Sequence, residues 1–525
     1  MRKKGKRIAL ARAFATALLM VAGAAAARGE VPLVEAARNQ DQRQVRTLLN
    51  QRADVNARSG DGSTALLWAA HWNDLETAGL LIRAGADANA ANDFRMTPLS
   101  QACTNGSAKF VDLLLKAGAN PNTPVATGVS PLMTCARSGN ADAVEMLLVR
   151  GADVNAQEPA QNQTALMWAA AERHPGVVGM LIEAKADLQA HTKNGFTALH
   201  FAAREGDLQS ARQLLAAGVN IDIRSRPDVS PSGARGGQAP AAAAASGGAV
   251  QALRGGRANS ATASEGGTPL LVATMRGQVP LALFLLEQGA DPNIADAGLT
   301  PLHWAATTWE GGTANPVYGF EDPMAGIPDR QAKMKLVRAL LAHGANPNAR
   351  MTRSQPAFAA GYTDAVGATP FLLASAVDDV EMMRLLLDGG ADPQLMTNTN
   401  TTAVMAAAAL NRLVGESPVT EPQALEAVRF LLDLGVPAGG VTTFNENALF
   451  GPAYRGWNTL LELLVVKGAD VNVVSKAGVT PWLAASGFGD RLGGVLYNKE
   501  GADILAKHGA DPKLGRPCQA QNKCR

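Results

Sequence analysis

The sequence predicts an all-α repeat solenoid, and three observations carry that prediction. A phrase opening at Thr64, Thr97, Ser130, Thr164 and Thr197 returns at intervals of 33, 33, 34 and 33 residues. Each copy runs from a Thr/Ser-(Pro/Ala)-Leu start through a small-residue pair and a Leu-Leu pair to a Gly-Ala-Asp/Asn-like turn, as in Thr64-Ala-Leu-Leu-Trp-Ala-Ala ending at Gly85-Ala-Asp. The register continues at Thr268, Thr300, Thr369, Thr402, Asn447 and Thr480, with a degenerate first unit over 31–56, giving about twelve helix-turn-helix units to Asp511. A period in this range means stacking, because no single unit can bury its own apolar face.

Each element of the phrase has a physical role. A Thr hydroxyl accepts from an unpaired N–H of the first helical turn, and Pro at the first helical position has no N–H to leave unpaired. Thr64, Thr97, Thr164, Thr197, Thr268, Thr300, Thr369 and Thr480 are therefore expected to start short helices. The Ala-Ala pair lets that helix lie close to its neighbours, and Leu pairs such as Leu80-Leu81 and Leu113-Leu114 fill the space between units. Gly85 and its counterparts end the second helix in the left-handed region, and the following Asp/Asn residues favour a tight turn.

These residues resemble ankyrin repeats. Thr300-Pro301-Leu302-His303-Trp304-Ala305-Ala306 and Gly151-Ala152-Asp153-Val154-Asn155 match the family's Thr-Pro-Leu-His helix and Gly-Ala-Asp-Val-Asn loop, in a pattern that runs from a β-turn through that helix and a second helix to the loop. The resemblance covers nearly the whole chain after its first thirty residues. It implies a binding scaffold without implying a particular partner.

Residues 1–27 read differently. Five basic residues in Met1–Arg7, an Ala/Leu-rich stretch from about Ala13 to Ala22 and small residues at Ala24–Ala27 follow the three-part plan of a secretory signal peptide. The apolar run is far shorter than the ~20 residues of a membrane-spanning helix. Export to a periplasm or out of the cell is the expectation, with no transmembrane span in the mature chain. Removal of the leader leaves 42 basic against 46 acidic residues, a balance of −4, so the basic whole-chain pI is misleading. With no basic stripe in the repeats, nucleic acid is not an expected partner.

Repeats are expected over 28–223 and 266–512. Between them, 224–265 is rich in Ala, Gly, Ser and Pro, has little to bury and is expected to be a disordered insertion, either flexing the stack or extruded from a continuous one. Its deletion is expected to leave thermal stability nearly unchanged. Further loops are expected near 308–331, 351–365 and 413–423. Trp309, Tyr318, Phe320, Phe358 and Tyr362 make the first two too aromatic for solvated linkers, so they either pack back on the scaffold or bind.

Catalytic signatures are missing from the sequence. It contains no Gly-x-Ser-x-Gly elbow, phosphate-binding loop, haem-attachment motif or zinc-protease helix, so no enzyme, cofactor or metal is implied. His200 and His303 fall on the family's Thr-Pro-Leu-His position, where the resemblance implies a bond between repeats; His71, His174 and His191 have no ligand partners at metal spacing. Cys103 and Cys135 occupy small-residue positions of adjacent units and read as buried small side chains. Cys518 and Cys524, in the 513–525 tail, read as a local disulfide in an oxidising compartment.

What remains is a surface. In the ankyrin family the partner meets the turn before Thr and the residues after Ala-Ala, which line the concave face. By register, the resemblance places Trp72, Phe94, Met96, Arg137, Phe196, Arg204, Glu205, Met275, Arg276, Tyr454, Arg455 and Phe488 there, some of them half buried between turns. Trp68, Trp168 and Trp304 share one helix position and read first as packing between units. The expected function is non-enzymatic recognition of another protein. The alternative is a carbohydrate or cell-wall binder, which would show coplanar aromatics flanked by carboxylates and amides.

Overall fold

The computed structural model describes residues 31–225, 266–307, 329–353, 365–410, 419–488 and 497–515. The expected leader within residues 1–30, residues 226–265, Trp309, Tyr318, Phe320, Phe358, Tyr362, Cys518 and Cys524 lie outside them. The described residues form 24 helices in twelve pairs, and no strand. Two compact units are present, the first ending at Asn220 and the second beginning at Ile221.

In the first unit the pairs are α1 Pro32–Arg38 and α2 Gln42–Asn50, α3 Ala65–His71 and α4 Leu75–Arg83, α5 Pro98–Thr104 and α6 Ala108–Lys116. They continue with α7 Pro131–Ser138 and α8 Ala141–Val149, α9 Ala165–Ala171 and α10 Pro175–Glu183, α11 Ala198–Glu205 and α12 Leu208–Ala216. In the second unit they are α13 Pro269–Met275 and α14 Val279–Glu287, α15 Pro301–Ala305 and α16 Arg330–Ala342, α17 Pro370–Ala376 and α18 Val380–Asp388. The last three are α19 Ala403–Ala407 and α20 Glu421–Asp433, α21 Phe450–Arg455 and α22 Asn458–Val466, α23 Pro481–Ala485 and α24 Lys499–Lys507. Helices α16 and α20 therefore begin inside the ends of the expected 308–331 and 413–423 loops.

The first helix of each pair is only five to eight residues long, and most start where a Thr hydroxyl takes an N–H, as Thr64 does from Leu67 at 3.2 Å and Thr369 from Leu372 at 3.2 Å; Ser130 does so at α7, and α1 starts after Val31 with no side-chain cap. Asn447 replaces Thr at α21 and its side-chain oxygen accepts instead from Leu449 N–H at 3.1 Å. Second helices use Asp or Asn in the same way, at Asp41, Asp74, Asn140, Asp207, Asp379 and Asn498. Helices this short are unstable alone, so the caps and the stacked apolar face form them together. The Leu pairs divide their work: Leu81, Leu114, Leu147 and Leu340 are fully buried, while Leu80, Leu113, Leu148 and Leu341 are half buried.

Between pairs, the chain makes a finger closed by two backbone bonds. In the second repeat Ser59 N–H donates to Ser63 O and Gly62 N–H to Ser59 O; the same pattern recurs at Val125/Val129, Thr192/Phe196, Thr442/Glu446 and Ser475/Val479. The residue before the closing carbonyl takes positive φ, as in Gly62 at 76°. Two of the expected insertions enter and leave through this base. Ser225 N–H donates to Gly267 O and Gly266 N–H to Ser225 O, while Met351 N–H donates to Ala368 O and Gly367 N–H to Met351 O. Arg224 and Ser225 are thus framework rather than insertion, and Arg224 also pairs with Asp296 at 2.7 Å. Met351, expected at the start of the 351–365 loop, is buried.

Successive repeats are held in register by one side chain. Asn122 donates its amide to Gly151 O at 2.9 Å and accepts from Asp153 N–H at 2.8 Å. Asn56, Asn89, Asn293, Asn348 and Asn472 make the same two bonds to the following Gly and Asp/Asn. At Asp222, a carboxylate occupies the place of the amide and accepts from Asp291 N–H at 3.0 Å; burial, with the charge of Asp291 beside it, holds that carboxyl above its usual range.

The cysteine expectation is corrected. Cys103 and Cys135 are joined by a disulfide rather than being free buried residues. Their positions belong to the small-residue pairs through which α5 and α7 touch, and their Cα atoms are 4.6 Å apart, within bridging range. Ala serves this contact at neighbouring junctions, so the sequence did not reveal that two cysteines would meet.

Two outcomes test this architecture. Replacing residues 226–265 with two glycines is expected to keep the melting temperature within about 2 °C, because the finger is closed without them, whereas removing Arg224 and Ser225 as well lowers it measurably in a thermal scan. Asn122→Ala, losing two bonds, is expected to cost about 2 kcal/mol by urea denaturation.

Candidate partner-binding face

The register brings particular rows of the first helices together. In the first unit, Trp68 and Trp168 stand four residues after their starts and Arg38, His71 and Arg137 seven after theirs, so the two positions share one helix face. Arg38 lies over Trp68 of the next repeat at 5.2 Å from the ring centroid, and Arg137 over Trp168 at 5.0 Å. His71 meets Trp68 and Trp72 edge-on at 5.4 and 4.7 Å, while the Trp72 indole N–H donates to Arg38 O at 2.9 Å. Guanidinium–indole stacking of this kind holds both partners without neutralising the charge.

The residues read from sequence separate into groups. Trp72 is 44% and Phe94 68% exposed, and Arg137 is exposed, while Met96 and Phe196 are half buried. Arg204 and Glu205 pair with each other at 2.7 Å, with Arg204 over Phe201 at 4.8 Å. In the second unit Phe488 is 48% exposed, and Arg276, Tyr454 and Arg455 are half buried, Arg455 stacking on Trp457 at 5.0 Å. Met275 does not belong to any surface: it is 6% exposed and packs with Leu271, Leu299, Trp304 and Met351, because α13 is buried along its whole length. The shared Trp position also divides, Trp304 being buried and Trp68 and Trp168 half buried under arginine. Sequence reasoning passed over Arg38 and His71; their signal was three-residue spacing from an aromatic position.

The buried titratable groups of the first helices and caps are structural. His303 is fully buried; burial, against opposing backbone hydrogen bonds, pulls its pKa down to about 4. Its Nδ1 accepts from Thr300 N–H at 3.1 Å, so Nε2 carries the proton it donates to Ala368 O at 3.2 Å, joining two repeats. His200 caps α11 in the same manner, accepting from Thr197 N–H at 3.2 Å. Asp379 caps α18; burial raises its pKa, but hydrogen bonds from Arg330 and Met382 N–H outweigh that and leave it lowered. Among the described residues no group of three or more His, Cys, Asp or Glu side chains is arranged to hold a metal ion, and no helix is long and apolar enough to cross a membrane.

Models of ankyrin repeats in three copies match residues 11–92, 33–125, 67–158, 132–225 and 241–313, and single-repeat models match 297–352 and 366–398. The chain belongs to the ankyrin repeat family. Ankyrin repeats serve protein–protein interaction, and proteins of the family are typically scaffolds rather than enzymes. Among solved structures, the human ASB11 ankyrin repeat domain is 28% identical over 37% of this chain and 86% of its own length, with a TM-score of 0.34. No curated protein matches the chain.

The buried histidine of this ankyrin array has a pH signature. The native His303 stays neutral to about pH 4, while the unfolded imidazole takes up a proton from about pH 6.5. Its contribution is therefore complete above 6.5 and lost as pH falls toward 4, by up to about 3 kcal/mol. Urea denaturation at pH 7 and 4.5 is expected to show His303→Gln losing less stability between the two pH values than the parent, by about that amount.

Proposed function

We propose that this protein is a non-enzymatic scaffold that acts outside the cytoplasm and takes a protein partner on the finger and first-helix face of its ankyrin array. The observation that carries the reading is the row of aromatic and arginine side chains along the first unit, with Trp72 and Phe94 projecting from it. Trp, Tyr and Arg anchors of this kind dominate most interfaces. Arg38 and Arg137 cover one face of the Trp68 and Trp168 rings, which favours a protein partner over a sugar stacked on those rings.

The extracytoplasmic part of the reading rests on the leader-like residues 1–27 and on the Cys103–Cys135 disulfide, a bond that persists in oxidising compartments. Both cysteines are fully buried, which shields the bond once the repeats have stacked.

Crosslinking and pull-down of the tagged protein from envelope and secreted fractions of the producing cell tests the reading. The parent is expected to capture a protein, and a Trp72→Ala, Arg137→Ala, Tyr454→Ala triple variant that still folds is expected to lose it, each anchor contributing about 2 kcal/mol or roughly thirtyfold. Phe94→Ala, which removes no side-chain hydrogen bond, serves as a second variant. Retention of polysaccharide with no captured protein would overturn the proposal.

A further inference from the structure

The carboxylates and cations of the finger and first-helix face are interleaved in the sequence but not equivalent in the structure. Glu35 pairs with Arg38, and Glu205 with Arg204. Asp61 is held by the Ser59 and Ser63 hydroxyls and the Ser63 N–H, bonds that leave its pKa below the usual range. Glu158, 4% exposed, closes its own finger by accepting from the N–H groups of Ala160, Gln161 and Gln163. Among the described residues of the first unit, Asp61, Asp93 and Glu172 remain as exposed carboxylates on the fingers and first helices of this face without an ion pair, Asp61 keeping its charge because its partners are neutral.

The cations are not consumed. Arg58, Arg95, Arg137, Arg173 and Lys193 are all exposed, and none makes an ion pair among the described residues. Arg58 donates to Ala91 O at 2.8 Å and Lys193 to Pro159 O at 2.6 Å, and Arg137 stacks on Trp168. Neutral carbonyls and an indole position these groups and leave their charge intact. They fall one per repeat, in the second through sixth repeats, with Trp72 and Phe94 among them.

We infer that this face takes an extended acidic segment of a partner protein, carboxylates meeting the successive cations and apolar side chains lying against Trp72 and Phe94. The inference rests on the proposed protein-binding reading and supplies the chemistry of its partner. Spacing argues for a peptide over a nucleic acid or polyanionic glycan: single cations separated by aromatic and neutral positions suit dispersed carboxylates better than a continuous row of phosphates or sulfates.

Fluorescence anisotropy of the full chain with a labelled peptide of about twelve residues alternating Glu and Phe, able to reach roughly 40 Å extended, tests the inference. It is expected to bind at least about tenfold tighter than the Lys-Phe and Ser-Phe counterparts and to weaken as salt rises. Arg95→Gln with Arg137→Gln and Lys193→Gln is expected to weaken it about tenfold or more. Asp93→Asn with Glu172→Gln is expected to tighten it, a gain that misfolding does not produce. Equal binding of the three peptides, no response to either set of substitutions, or preferential displacement by duplex DNA or heparin over an equally charged peptide would overturn the inference. A cellular protein lost with Phe94→Ala but retained by the glutamine triple variant would also overturn it while leaving the scaffold reading intact; no captured protein at all would remove both.

Discussion

A single carboxamide, donated by the Asn two residues after the Gly-Ala-Asp/Asn turn, sets the spacing on which the rest of this array depends. Its two bonds reach the Gly carbonyl and the Asp or Asn N–H of the following repeat. An amide is the one short side chain that donates and accepts side by side, so it fits a carbonyl and an N–H at fixed separation. Once that spacing is set, the small residues of the first helices come within contact and the Leu side chains mesh. No repeat has enough apolar surface to be stable without this, which is why the stack behaves as a chain of coupled neighbours.

That coupling explains how the array tolerates interruption. The finger base carries the structural information in two backbone bonds, which close it whatever length of chain lies between them. Two of the interruptions therefore fall within fingers, between Ser225 and Gly266 and between Met351 and Gly367, without displacing Thr268 or Thr369 from their helix starts. The same geometry brings Cys103 against Cys135: helices stacked through alanine-sized contacts leave Cα atoms near enough for a disulfide.

The proposed partner-binding face is a by-product of regularity. Identical register positions stack into rows, so an aromatic four residues and an arginine seven residues after successive starts meet across the repeat boundary, as Arg137 meets Trp168. Glu35 and Glu205 are neutralised by arginine neighbours, leaving unpaired cations in excess of unpaired carboxylates on a face whose composition alone reads as balanced. Net charge describes the chain, whereas a partner meets only the groups that the fold has not already used.

The sequence by itself determined the unit, its period, the Thr caps, the glycine helix ends and the number of repeats, because these depend on contacts within about one turn of the chain. Tertiary structure decided what depends on residues some thirty positions apart. It turned the loop Asn from a turn former into a clamp, paired Cys103 with Cys135, placed Met275 and Met351 in the core and made Arg224 and Ser225 part of a finger. The physical reason is common to all four: a side chain's local preference is written in its own neighbourhood, but its partner is chosen by which repeat stacks against it.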